Sequence, residues 1–93
     1  MNLGPIWKDF FTHWPKVMAP TGVLVTSYDE QIPFIGFMTG ETLLMMDRRA
    51  PDASGARKVL IPYENIAALK MVDVVNNSVF AAVGFKPSSS QAK

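Results

Sequence analysis

The stretch that decides the fold covers residues 57–71 and reads Arg57-Lys58-Val59-Leu60-Ile61-Pro62-Tyr63-Glu64-Asn65-Ile66-Ala67-Ala68-Leu69-Lys70-Met71. Two apolar runs typical of β-strands flank a polar Pro-Tyr-Glu-Asn break. The break is too short for a helix and too compact for an ordinary loop, so the chain must bend sharply between two strands. A bend of this kind indicates a small sheet that closes on itself. The sequence therefore predicts a small, strongly bent β-barrel.

The other apolar runs complete this barrel and add a helix before it. We expect five strands, over residues 23–28, 32–38, 42–46, 58–61 and 66–71. A short helix is expected at about residues 5–14, because proline suits the first turn of a helix and Pro15 would end it. Trp7, Phe11 and Trp14 lie close together on one apolar face of that helix. The predicted fold class is mostly β, with a short N-terminal helix.

The C-terminal region is predicted to add one more strand. Asn76-Asn77 is a plausible hairpin turn, and the apolar run over residues 78–85 would follow it as an extra strand. The Ser-rich residues 87–93 are expected to be a disordered tail. The chain then forms a single domain over residues 1–86.

Composition and patterning together predict self-association. The chain has 93 residues, of which 48% are hydrophobic and 18% are charged, against a usual charged fraction of about 25%. The runs at residues 23–25, 43–46 and 59–61 place apolar side chains on both faces of their strands. A sheet with one face in water would instead alternate apolar and polar residues. We therefore expect a homo-oligomer that covers the second face.

Charge, cysteine content and the length of the apolar runs indicate which kinds of site and location to expect. The net charge is +1 and there is no cysteine, which predicts neither a disulfide framework nor a thiolate metal site. No run approaches the ~20 apolar residues of a membrane span. We expect a cytoplasmic protein that has no membrane partner.

A short helix followed by five strands of a bent sheet resembles the Sm-like (LSm) family, over about residues 5–72. Ile61-Pro62-Tyr63-Glu64-Asn65-Ile66 is similar to the second motif of that family, and Gly36-Phe37-Met38 to part of the first. The resemblance implies an Sm-like or SH3-like barrel, a ring in which the fourth strand of one subunit pairs with the fifth of the next, and single-stranded RNA as a ligand. The chain diverges at the RNA-binding motif positions, since Pro62 and Tyr63 stand where the family has a basic residue and glycine.

The candidate RNA-binding residues are four clustered cations and one aromatic residue: Arg48, Arg49, Arg57, Lys58 and Tyr63. The cations could contact phosphates, and the tyrosine ring could stack on a base. The alternative is a solvated loop, partly neutralised by Asp47 and Asp52. The two resulting hypotheses are an oligomeric scaffold with weak single-stranded RNA binding, and a protein-interaction module that binds no nucleic acid.

Catalysis, metal binding and cofactor binding are not predicted. His13 is the single histidine and has no cysteine or second histidine with which to share a metal. The serines lack a positioned base, and Gly36 and Gly40 do not form a phosphate-binding loop. The sequence predicts no enzyme.

Overall fold

The computed structural model describes residues 2–87, which form six β-strands, two α-helices and one 3-10 turn. In chain order the elements are α1 (Gly4–Thr12), β1 (Gly22–Thr26), β2 (Gln31–Phe34), β3 (Gly36–Thr39), β4 (Leu43–Asp47), β5 (Lys58–Pro62), the 3-10 turn (Tyr63–Asn65), β6 (Ile66–Lys70) and α2 (Asn77–Ala81). The predicted mostly β fold with a short N-terminal helix is confirmed.

The strands form two antiparallel three-stranded sheets. The first has the order β2-β1-β6 and the second β3-β4-β5. The predicted strand over residues 32–38 is thus two strands, which join different sheets and are separated by Ile35. The backbone N–H of Ile35 donates to the carbonyl oxygen of Asp47 at 2.9 Å, which ties the bend to the second sheet.

The break after β5 is the sharp bend that the sequence predicts. Residues 63–65 form a single 3-10 turn, and β6 follows at once in the other sheet. Pro62, before this turn, is extended (φ −62°, ψ 141°), which is the backbone φ that a proline ring fixes. The two sheets are therefore joined by bends after β2 and after β5.

One hydrophobic core lies between the two sheets and α1. Five strands, α1 and the 3-10 turn each contribute at least one buried side chain, and the remaining strand, β3, contributes Phe37, which is partly buried and packs against them. The core cluster comprises Phe11, Leu24, Ile32, Phe34, Leu44, Met46, Ile61, Tyr63 and Ile66. Thr26 is the buried polar residue of β1, and its hydroxyl accepts hydrogen bonds from the backbone N–H groups of Tyr28 and Glu30. The β1–β2 turn is thereby linked to the core.

An aromatic cluster attaches α1 to the sheets. Phe11 is buried, and its ring stacks on Trp14 at a centroid separation of 5.5 Å. Phe37 of β3 lies edge-on to both rings, at 5.1 Å from Phe11 and 4.9 Å from Trp14. The indole N–H of Trp14 donates to the carbonyl oxygen of Met18 at 3.0 Å. The helix is therefore part of the core and not an appendage.

The helix is shorter at its end than the predicted range 5–14. It covers Gly4–Thr12, and His13 has already left the helical region (φ −107°, ψ 33°). Pro15 disfavours helical backbone at Trp14, and the helix ends at Thr12, two residues before Trp14.

The predicted extra C-terminal strand over residues 78–85 is wrong, because residues 77–81 form the short helix α2 and residues 82–84 form turns. The predicted hairpin turn is its start: the Asn76 side chain accepts a hydrogen bond from the backbone N–H of Ser78 at 2.8 Å. Asparagine favours both turns and helix N-caps, and the sequence alone did not separate the two. Gly84 (φ 108°) follows the helix in the left-handed region that glycine tolerates. Of the predicted disordered tail, residues 88–93 lie outside the described residues.

Candidate binding surface

The predicted cationic site lies on the loop between β4 and β5, residues 48–57, hereafter the basic loop. Asp52 organises it: one carboxylate oxygen accepts hydrogen bonds from the backbone N–H of Ser54 (2.8 Å), the hydroxyl of Ser54 (2.7 Å) and the backbone N–H of Ala56 (2.9 Å). These bonds favour the charged form, the Ser54 hydroxyl most strongly, and lower the pKa of Asp52 below its ordinary value. Gly55, at φ 91°, supplies the left-handed residue of the turn.

The structure brings the four predicted cations to the base of this loop but does not leave them all free. The backbone N–H of Arg48 donates to the carbonyl oxygen of Arg57 at 2.8 Å, and the side-chain Nε of Arg48 donates to the carbonyl oxygen of Ala50 at 3.1 Å. Lys58 forms an ion pair with Asp47, its cross-strand neighbour. Arg49 and Arg57 are exposed. Two arginines are thus presented to solvent, and one lysine is neutralised.

Tyr63 does not join this cluster. It follows β5 at the end opposite to Lys58, a separation of five residues, or about 16 Å along an extended strand. Its side chain is 3% exposed, and its hydroxyl donates to the carbonyl oxygen of Gly40 at 2.9 Å. The ring is therefore a core residue that holds the β3–β4 turn, and it is not presented to a ligand in this structure.

A different surface stands out on the outer face of the second sheet. Met38, Met45 and Leu60 are direct cross-strand neighbours on β3, β4 and β5, and we call them the apolar row. Their neighbours along each strand, such as Leu44 and Ile61, face the core, so side-chain alternation turns the row outward. Met38 and Leu60 are 66% and 61% exposed. In the sequence, this surface was indicated by the apolar runs at residues 43–46 and 59–61, which lie in β4 and β5. These runs predicted that a second face of the sheet is covered, but they did not show which side chains lie on that face.

Two strand edges are open, one in each sheet. β5 and β6 are edge strands of their sheets, so among residues 2–87 one side of each backbone has no strand partner. The other two edges, β2 and β3, are joined to one another through Ile35. Exposed backbone N–H and C=O groups on an edge are available to pair with a strand of another chain.

Groups suited to catalysis or metal binding are not assembled in the part of the chain that the structure describes. Residues 2–87 contain no cluster of three or more His, Cys, Asp and Glu side chains that could hold a metal ion. The imidazole Nδ1 of His13 lies 2.9 Å from the carbonyl oxygen of Asp9, on the exposed side of α1. No helix within the same residues is long and apolar enough to cross a membrane.

Comparisons of the chain with protein-family models, with curated proteins and with solved structures found no match.

Proposed function

We propose that this protein is a non-catalytic, homo-oligomeric interaction module, built on a small barrel of Sm-like type. The barrel is supported by the two bends that carry the chain from one sheet to the other, at Ile35 and at residues 63–65, and by the single core that both sheets share. The Sm-like arrangement is further supported by the motif resemblance at residues 61–66.

The observation that carries the proposal is the apolar row beside an open strand edge. Complete burial of a leucine or methionine side chain contributes about 1.5–3 kcal/mol, so covering Met38 and Leu60 favours association. Isolated exposed apolar residues are ordinary, whereas a contiguous patch marks an interaction surface. Because Leu60 lies on the edge strand β5, one partner can cover the row and pair with that edge together.

We assign the partner first to a second copy of the chain, in a ring or another symmetric assembly. In the resembled family the fourth strand of one subunit pairs with the fifth of the next, and these correspond here to β5 and β6. Both of these edges are open, so each copy can pair through β5 with one neighbour and through β6 with the other. A head-to-tail contact of this kind closes into a ring when its rotation permits.

The test is a pair of glutamate substitutions that differ in location. Leu60→Glu places a charge on the apolar row, and Tyr28→Glu places the same charge on a residue that is 78% exposed at the β1–β2 turn. We expect light scattering to give a multiple of the 10.3 kDa chain mass for the wild type and for Tyr28→Glu, and a smaller assembly for Leu60→Glu. An unchanged assembly in Leu60→Glu would remove the row from the interface.

Weak binding of single-stranded RNA by the basic loop is the second candidate function. It is favoured by Arg49 and Arg57, which are exposed and form no ion pair within residues 2–87. With Tyr63 in the core, binding would be electrostatic and tolerant of sequence, so it should weaken steeply as salt rises.

A titration of short uridine-rich and adenine-rich RNA at two salt concentrations tests the RNA candidate. Arg49→Ala/Arg57→Ala should remove the binding, and Tyr63→Phe should leave it unchanged. If the wild type does not bind RNA at low salt, the RNA candidate is wrong and the protein-interaction module is the one remaining proposal.

A further inference from the structure

A second set of exposed apolar residues lies at the other end of the chain, on what we call the C-terminal arm (residues 71–87). Val72, Val74 and Phe85 are 72%, 103% and 56% exposed, and Val83 is 42% exposed. None of the residues of α2 is buried. Residues 74–85 carry no charged side chain, so covering this segment requires no desolvation of a charge.

The arm is only loosely joined to the rest of the molecule. Phe80 and Phe85 border a shallow groove whose other side is formed by Ile6, Trp7 and Phe10 of α1. The hydroxyl of Thr21 donates to the carboxylate of Asp73 at 3.1 Å. No residue from 71 to 87 is buried. These features describe a segment that lies largely outside the packed core.

Within residues 2–87 the structure thus leaves two apolar surfaces exposed, the arm, whose residues 74–85 are uncharged, and the apolar row. A stable interface between two proteins buries about 800 Å² on each of them, which is more than the three side chains of the row can supply. An interface that joins the arm of one copy to the row of the next uses both surfaces at once. It also leaves every copy in the same environment, as a symmetric assembly requires.

The chain path places the two surfaces next to each other in the proposed assembly. The arm begins directly after β6, and β6 is the edge that would pair with β5 of a neighbouring copy. Leu60 lies on that β5, at the margin of the neighbour's row. An arm that leaves β6 therefore starts beside the surface that would receive it.

We propose that the C-terminal arm of each copy packs across the apolar row of the neighbouring copy and closes the subunit interface. This inference rests on the proposed self-association, and it specifies the surfaces that meet.

The natural chain has no cysteine, so introduced thiols report the contact directly. Leu60→Cys protein and Val83→Cys protein are prepared separately, mixed at equal concentration, allowed to exchange subunits and oxidised with diamide. Mass spectrometry then measures the peptide that joins positions 60 and 83, which can form only between copies. The matched control replaces Val83→Cys with Ser54→Cys, since Ser54 is exposed on the basic loop.

We expect at least about tenfold more of the 60–83 link than of the 60–54 link, because a specific contact raises the effective concentration of the two thiols. Equal yields in a protein that light scattering shows to be oligomeric would overturn the arm–row contact and leave the self-association standing. A monomer of 10.3 kDa with equal yields would overturn both proposals.

A second variant keeps the test valid if the thiols disturb folding. Phe85→Glu changes an exposed residue of the arm and should weaken association about tenfold or more, the size of effect that a single well-packed interface residue commonly has. Tyr28→Glu is the matched control and should associate as the wild type does. Association of Phe85→Glu at wild-type strength would count against the arm–row contact.

Discussion

Tyr63 illustrates what a single residue contributes to this fold. From the sequence it is expected to present its ring at the bend after β5, yet the bend turns the ring inward and the hydroxyl reaches the carbonyl oxygen of Gly40. A tyrosine at such a position suits either environment, because its ring is apolar and its hydroxyl can be satisfied by a backbone group. Whether the ring is buried depends on the β3–β4 turn, whose Gly40 accepts the hydrogen bond and lies far from Tyr63 in the sequence.

The substitution Tyr63→Phe should destabilise the protein by about 0.5–1.5 kcal/mol, the net value of a typical hydrogen bond. Urea unfolding measures the loss, and Tyr28→Phe is the matched control because Tyr28 is 78% exposed. A Tyr63→Phe protein as stable as the wild type would show that the bond to Gly40 contributes nothing.

Asp52 predicts a pH effect confined to the basic loop. Its pKa in the folded protein is lowered by the Ser54 hydroxyl and by the N–H of Ala56, below about 3.9 in an unfolded chain. The carboxylate therefore stabilises the loop fully above that unfolded value, and the contribution is lost as pH falls through the lower, folded pKa. An NMR titration should place the pKa of Asp52 in the folded protein below its value in an unfolded chain, and Ser54→Ala should raise it. A midpoint that Ser54→Ala does not move would contradict the assigned cause.

At the scale of the elements, the sequence predicted the strands and the helix whose positions depend on neighbouring residues. The apolar runs located β1, β4, β5 and β6, and the two prolines located α1. The structure differs from the prediction at two elements, and at both the secondary structure depends on contacts that the apolar pattern does not specify. The strand over residues 32–38 breaks at Ile35 because its halves pair with different sheets, and residues 77–81 form a helix that Asn76 caps.

The attachment of α1 gives a prediction for the whole helix. Phe11 is 1% exposed and contacts Trp14 and Phe37, so Phe11→Ala should destabilise the protein by about 3–5 kcal/mol. Val17→Ala, at a residue 82% exposed, should change stability by less than about 0.5 kcal/mol. Both values come from urea unfolding. Equal stability of the two variants would mean that α1 is not part of the core.

At the scale of the whole molecule, composition already indicated that one chain does not cover its own apolar surface. The excess of hydrophobic residues predicted association, but it did not say where. The positions of the apolar row and of the C-terminal arm depend on strand register and on the helix that replaces the expected last strand. Likewise, the sequence predicted that Tyr63 and the arginines form one binding site, whereas in the structure they lie at opposite ends of β5.

The most direct test of self-association is the mass of the unmodified chain as a function of concentration. Sedimentation equilibrium from about 1 to 100 μM covers the range in which an interface of standard size assembles. We expect an integral multiple of 10.3 kDa at the upper concentrations, with dissociation, if any, at the lower ones. A mass of 10.3 kDa across the whole range would contradict the central claim that this chain is an oligomeric module.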